Sequence, residues 1–171
     1  MKIYIACGLT HVPRGAIFDQ HVAFIHALAG GMNSAGHEVK YALVNSDPEL
    51  ASKPSEERAR LCYSWDRNMV EQAELVIAEA SFPSTGVGIE MQIAERKGTP
   101  IIICFRDFGC NKVDSVEYEN PDRTRHNLQV GEGFVTLMAL GVPSVFKIIQ
   151  YSDTPDGLAK VMSAVNLLTQ T

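Results

Sequence analysis

The chain has 171 residues, 46% of them apolar, and a net charge of −5. That length suits one domain with a core large enough to fold without a disulfide or a metal, and the composition excludes wholesale disorder. An acidic chain lacks the electrostatic grip that polymeric DNA or RNA requires, although a few local donors suffice for a small phosphate.

Apolar runs and helical periods alternate along the chain. Lys2–Cys7 reads as a strand. Ala16–Ala35 reads as a helix with Phe18, Val22, Ile25 and Leu28 on one face, stopped by Gly36. His37–Val44 is expected to be a second strand. Asp47-Pro48 and Lys53-Pro54 mark the loop after it. Ser55–Ala73 is expected to be a helix capped at Ser55, with Leu61, Trp65, Met69 and Ala73 as its core face. Leu75–Ala80 is a strand, Gly88–Lys97 a helix stopped by Gly98, and Pro100–Phe105 a strand covered on both faces. A polar excursion spans 107–129, and Gly131–Leu140 is expected to be helical. Ser144–Tyr151 and Asp156–Leu168 complete the series as strand and helix.

Five rounds of strand and helix predict a single α/β domain over 1–171. Its form would be a flavodoxin-like, Rossmann-like three-layer fold with a five-stranded parallel sheet in the order 2-1-3-4-5. Ligands bind such sheets beyond the carboxyl ends of the strands, where the order reverses. Two loops meet there, 7–15 and 81–88. The dinucleotide fingerprint is incomplete, because Met91 stands where the third glycine would be, and no Walker lysine follows the loop. Cys7, Cys62, Cys104 and Cys110 form no C-x-x-C pair, and three of them lie in apolar runs. Reduced thiols in a cytoplasmic protein are expected, with no metal and no cofactor. The first residues read as a strand and not as a signal peptide, and no apolar run approaches a membrane span.

Glu90 is the most pointed residue at this crevice. A glutamate at a helix start is ordinarily a partner of the helix dipole. Ser84 and Thr85 lie too far upstream to form a capping box with it. A carboxylate held ionised by that dipole at the crevice could instead attack an anomeric carbon or stabilise an oxocarbenium ion. Asp66 lies beside the core stripe of its helix, with Cys62 and Val70 one turn away on either side, an environment that can tune it for proton transfer. Gly86 and Gly88 let backbone amides approach an anion, and His11 and Arg14 are candidate phosphate ligands. His21 and His26 read as structural.

The stretches Lys2-Ile-Tyr-Ile-Ala-Cys-Gly8, Trp65-Asp66, Ala73–Ser81 and Pro83-Ser-Thr-Gly-Val-Gly-Ile-Glu90 closely resemble the nucleoside 2-deoxyribosyltransferase superfamily, and most of all its branch of 2′-deoxynucleoside 5′-phosphate N-hydrolases. The resemblance runs from Lys2 to about Arg106 and resumes near Phe134. It implies that Glu90 is the nucleophile of a glycosyl-enzyme intermediate, that Asp66 belongs to the same site, and that a first-strand tyrosine positions the glutamate. The transferase branch puts that tyrosine at Tyr4, whereas alignment on Cys7-Gly8 with the hydrolase branch puts Ile5 there. Substrate contacts are implied for Cys7, Gly8, Ser84, Gly86 and Gly88. Ser84 stands where the transferases carry an aspartate for the sugar 5′-hydroxyl, which favours a 5′-phosphate. Thr136, in the segment 136–141, would reach the site of a neighbouring subunit, so a homodimer or higher homo-oligomer is implied, and Met138 of the same segment is implied as a substrate contact. The loop Thr10–Gly15 and the excursion depart from the hydrolase pattern.

The expected activity is therefore hydrolysis of the N-glycosidic bond of a nucleoside 5′-monophosphate. Deoxyribose transfer between bases is the alternative, and a non-catalytic nucleotide-binding module the second. The expected partner is a small nucleotide or nucleoside, not a nucleic acid polymer or a membrane.

Overall fold

A computed structural model describes residues 1–127 and 133–170. Its elements in chain order are β1 (Lys2–Cys7), α1 (Ala16–Ser34), β2 (Glu38–Lys40), α2 (Ala42–Asn45), α3 (Asp47–Leu50), α4 (Ser55–Gln72), β3 (Leu75–Glu79), α5 (Thr85–Lys97), β4 (Ile101–Arg106), β5 (Glu117–Glu119), β6 (Arg125–Asn127), α6 (Leu137–Leu140), β7 (Val145–Tyr151) and α7 (Thr154–Leu168).

Five parallel strands form the main sheet in the order β2-β1-β3-β4-β7, as expected. Alternate side chains along each strand enter opposite layers. Ile3, Ile5, Leu75, Ile77 and Ile102 pack under α1 and α7. Tyr4, Ala6, Val76, Ala78 and Ile103 pack under α4 and α5. The central strands are buried on both faces, which is why they read as continuous apolar runs. The same pleat sends Tyr4 and Ile5 to opposite sides of the sheet.

Several boundaries differ from the sequence reading, each for a local reason. The second strand is only Glu38–Lys40, because Asn45 Oδ1 accepts from the Tyr41 amide at 2.9 Å and turns the chain into α2. Asp47-Pro48 opens the short α3 and does not merely break a loop; proline suits a first turn, where its missing N–H costs nothing. Pro54, not Ser55, occupies the N-cap of α4, and the Ser55 hydroxyl turns to Glu56. The buried face of α1 is rotated from the expected one. His21, Phe24, Ile25, Leu28, Ala29 and Met32 are buried, while Phe18 and Val22 are only half-buried.

Most consequential is α5, which begins at Thr85 rather than Gly88, because Ser84 is its N-cap and accepts from the Val87 amide at 3.2 Å. It ends as expected at Gly98, in the left-handed conformation. The excursion carries the antiparallel pair β5–β6. Of the helix expected over Gly131–Leu140, the first two residues lie outside the described ones and only Leu137–Leu140 is helical. Of the four cysteines only Cys104 is fully buried, and Cys110 is exposed. Among the described residues, no helix is long and apolar enough to cross a membrane.

Candidate active site

Between the carboxyl ends of β1 and β3, where the strand order reverses, lies a cleft of about 390 Å³. Cys7 to His11 form one wall, Ala42 and Asp47 another. Cys62 and Asp66 enter from α4, and Ser84 to Val87 with Glu90 enter from α5. A groove of about 540 Å³ along β7 and α7 is larger, but it is lined by Lys147, Ile148, Lys160 and Leu167 among others and holds no carboxylate, thiol or imidazole.

Glu90 sits in the second turn of α5, because the helix starts three residues earlier than its glycines suggest. The helix dipole acts mainly within the first turn, so it does not hold this carboxylate ionised as the sequence reading expected. The Tyr4 hydroxyl, buried under the sheet, donates to Glu90 Oε1 at 2.6 Å. That bond favours the anion, while burial and the neighbouring Asp66 oppose it. Burial wins, and the Glu90 pKa is pushed up to about 7. Burial and Glu90 together push the Tyr4 phenol far above its usual range, so it stays a donor. No second protein hydrogen bond reaches Glu90 among the described residues, which leaves its other oxygen available at the cleft wall.

Asp66 is held from two sides. Ser46 Oγ donates to Oδ1 at 2.8 Å, and Cys62 Sγ donates to Oδ2 at 3.4 Å. Burial and then Asp66 raise the Cys62 thiol to about 11, so it remains protonated and acts as a donor, not a nucleophile. Burial likewise raises Cys7. Asp47 also lines the cleft, and burial followed by Asp66 raises its carboxyl. Sequence reasoning missed Asp47 because Asp-Pro reads as a breaker; its place directly after the second strand was the available signal.

The start of α5 forms the opposite end. The first amides of a helix have no intrahelical partner, so those of Thr85 and Gly86 point outward. Gly88, expected as a donor, is excluded: its amide bonds to the Ser84 carbonyl at 3.2 Å, and it does not line the cleft. Ser84 Oγ accepts from Val87 and keeps its own proton to donate. Gly8 lies against Ser84 so closely that a Cβ at residue 8 would come within 2.4 Å of the Ser84 Cβ.

His11 reaches the cleft, whereas Arg14 does not. Its guanidinium lies over the Phe18 ring, 4.6 Å from the centroid. No lysine or arginine lines the cleft among the described residues. Thr136 caps α6, Met138 is 86% exposed, and neither lines the cleft of its own chain. Among the described residues, no group of three or more His, Cys, Asp or Glu is arranged to hold a metal ion.

The chain is similar to two curated proteins that carry the provisional name 2′-deoxynucleoside 5′-phosphate N-hydrolase 1. The one from Methanococcoides burtonii is 37% identical over 71 residues, covering 42% of this chain and 57% of that protein. The one from Syntrophotalea carbinolica is 32% identical over 68 residues, covering 34% of this chain and 48% of that protein. The chain thus spans about half the length of the curated relatives it matches. Its fold is that of the CMP N-glycosidase BcmB of Clostridium botulinum, with a TM-score of 0.56, 18% identity, and 95% of this chain and 99% of that one covered. The resemblance read from the motifs is therefore found again in sequence similarity over about 70 residues and in the fold. No family model matches the chain.

Proposed function

We propose that the cleft hydrolyses the N-glycosidic bond of a nucleoside 5′-monophosphate, releasing the free base and the sugar 5-phosphate. The observation that carries this reading is the Tyr4–Glu90 pair: a half-buried carboxylate fixed by one donor, its other oxygen without a protein partner among the described residues at the cleft wall. Ionised Glu90 attacks the anomeric carbon. The C1′–O bond to Glu90 forms as the C1′–N bond breaks, and the departing base takes a proton through Asp66. Water then attacks C1′, the bond to Glu90 breaks, and the water's proton passes to Asp66, so the net reaction consumes one water. The chemistry uses no cofactor.

The 5′-phosphate is assigned to the start of α5, where the Thr85 and Gly86 amides, the Ser84 hydroxyl and His11 supply donors. The names of the two curated relatives support a 5′-phosphate substrate. Thr136 of a second copy completes this end in the homodimer the reading includes.

One observation favours deoxyribose transfer between bases as a second reading: among the described residues no lysine or arginine lines the cleft to hold a phosphate. A single experiment separates the two. The protein is incubated with nucleosides and their 5′-monophosphates, with and without an acceptor base, and free base is measured by chromatography. Hydrolysis predicts release from monophosphates without an acceptor. Release from unphosphorylated nucleosides that requires an acceptor replaces hydrolysis with transfer, and no release from any substrate leaves a binding module.

A further inference from the structure

We infer that Asp47 reads the base: its carboxylate accepts from an exocyclic amino group, so the site takes nucleotides of amino-bearing bases and discriminates against thymine and uracil. This inference rests on the nucleotide reading of the cleft.

Three features of the turn between β2 and α4 support it. Asp47 lines the cleft with Ala42 and Cys62, entering from the turn after β2 and neighbouring Asp66. The turn is held rigidly. Leu50 N donates to Ser46 O at 2.9 Å, Ala51 N donates to Asp47 O at 3.1 Å, and the Ser46 hydroxyl ties the turn to Asp66. The Asp47 carboxylate itself has no hydrogen bond or ion pair among the described residues. The nearby Lys53 is engaged by Glu49 at 3.0 Å. A half-buried carboxylate that faces the cleft and is engaged by no protein donor keeps its acceptor capacity for a ligand that brings the donor.

The order of groups along the cleft fits a nucleotide. Asp66 neighbours both Glu90 and Asp47, and its charge acts on each. With phosphate at Ser84 and the anomeric carbon at Glu90, the base extends past Asp66 towards Asp47. An ionised carboxylate only accepts. Adenine and cytosine each present an amino group, and guanine presents an amino group beside a ring N–H, which permits two parallel bonds. Thymine and uracil present one N–H flanked by carbonyl oxygens, which face the carboxylate unfavourably.

The test measures kcat/KM for the adenine, cytosine, guanine and thymine deoxynucleoside 5′-monophosphates on the wild type, Asp47→Asn and Asp47→Ala. The wild type is expected to prefer the best amino-bearing substrate over the thymine substrate by about 30-fold or more. Asp47→Asn, which offers a donor as well as an acceptor, is expected to reduce that ratio by about tenfold or more. An unchanged ranking of bases in both variants overturns the inference. Equilibrium dialysis of the same four nucleotides on Glu90→Gln, with and without Asp47→Asn, reads the preference without turnover. A wild type that cleaves none of them therefore defeats the hydrolase reading alone. Equal binding of all four by Glu90→Gln defeats the Asp47 inference.

Discussion

Two glutamates, eleven residues apart, lie on opposite sides of the same sheet, Glu79 buried and Glu90 half-buried, and they are treated differently. Glu79, at the end of β3, faces the α1 layer. It accepts from the Tyr151 hydroxyl at 3.0 Å, from the Ser81 amide at 3.3 Å and from the Ser81 hydroxyl, and His21 Nδ1 lies 3.4 Å away. Glu90, on the α5 side, has one donor. Burial raises both carboxyls. Glu79 is sealed and its oxygens are committed within the protein, whereas Glu90 keeps acceptor capacity for something that is not part of the chain. A buried carboxylate with surrounding donors maintains the fold, and one left short of donors at a cleft is available for chemistry.

Parallel substitutions should separate the pair most strongly. Glu90→Gln is expected to lose roughly 10³-fold or more in base release while remaining folded, because an amide is not an anionic nucleophile. Glu79→Gln is expected to retain kcat but lose about 1–3 kcal/mol of stability in denaturant titration, since its new N–H₂ faces the Ser81 amide. Glu79→Gln losing activity at full stability would break the contrast.

The pH dependence of stability gives the next effect. The carboxyl of Glu90 is raised in the folded chain, so the unfolded chain releases its proton first. Wild-type stability therefore falls as pH rises from about 4.5 through about 7. Glu90→Gln has no such loss. It should be more stable than wild type by about 3 kcal/mol above pH 7, with the difference vanishing below about pH 4.5. Melting curves across this range check it, and an equal gap at all pH values counts against it. Turnover should follow the opposite course, rising about tenfold per pH unit below 7 and levelling above it.

Ser84→Asp tests the other end of the cleft. Aspartate caps a helix as serine does, so α5 should form normally. The preference for monophosphate over nucleoside should fall by roughly 100-fold or reverse, because a carboxylate repels the phosphate. Side-by-side assays of one nucleoside and its monophosphate decide this, and an unchanged ratio removes Ser84 from phosphate recognition. The smallest expected effect belongs to Tyr4→Phe. Loss of the donor should move the acid limb of the rate profile upward by about one pH unit, which a pH–rate series would resolve.

The sheet order was readable because β3 and β4 are apolar on both faces and because strands alternate with helices. Ser84 and Glu90 are legible in the P-S-x-G-V-G-x-E run and Asp66 in the pair Trp65-Asp66, and the three line one cleft. What the sequence concealed was geometry. Thr85, Gly86 and Val87 read as loop before a helix starting at Gly88, yet a single hydroxyl–amide bond to Ser84 draws them into α5 and moves Glu90 out of the first turn. Asp47 was hidden by its proline. His21 reads as structural, but its contact with Glu79 depends on which side of α1 meets the sheet, and that side lies one position away from the stripe of Phe18 and Val22.

The approach of Gly8 to Ser84 has a thermodynamic consequence. The two loops that flank the start of α5 are already in van der Waals contact, with no room for even a methyl group between them. They cannot clamp down on an arriving ligand by drawing nearer to each other. At this end the shape of the cleft is set during folding, and little conformational entropy remains to be lost when a ligand docks. A substitution such as Gly8→Ala would wedge the loops apart and spread the Ser84 hydroxyl from the wall formed by Cys7 to His11. Its cost should therefore appear in the complementarity of the vacant protein, before any ligand is present.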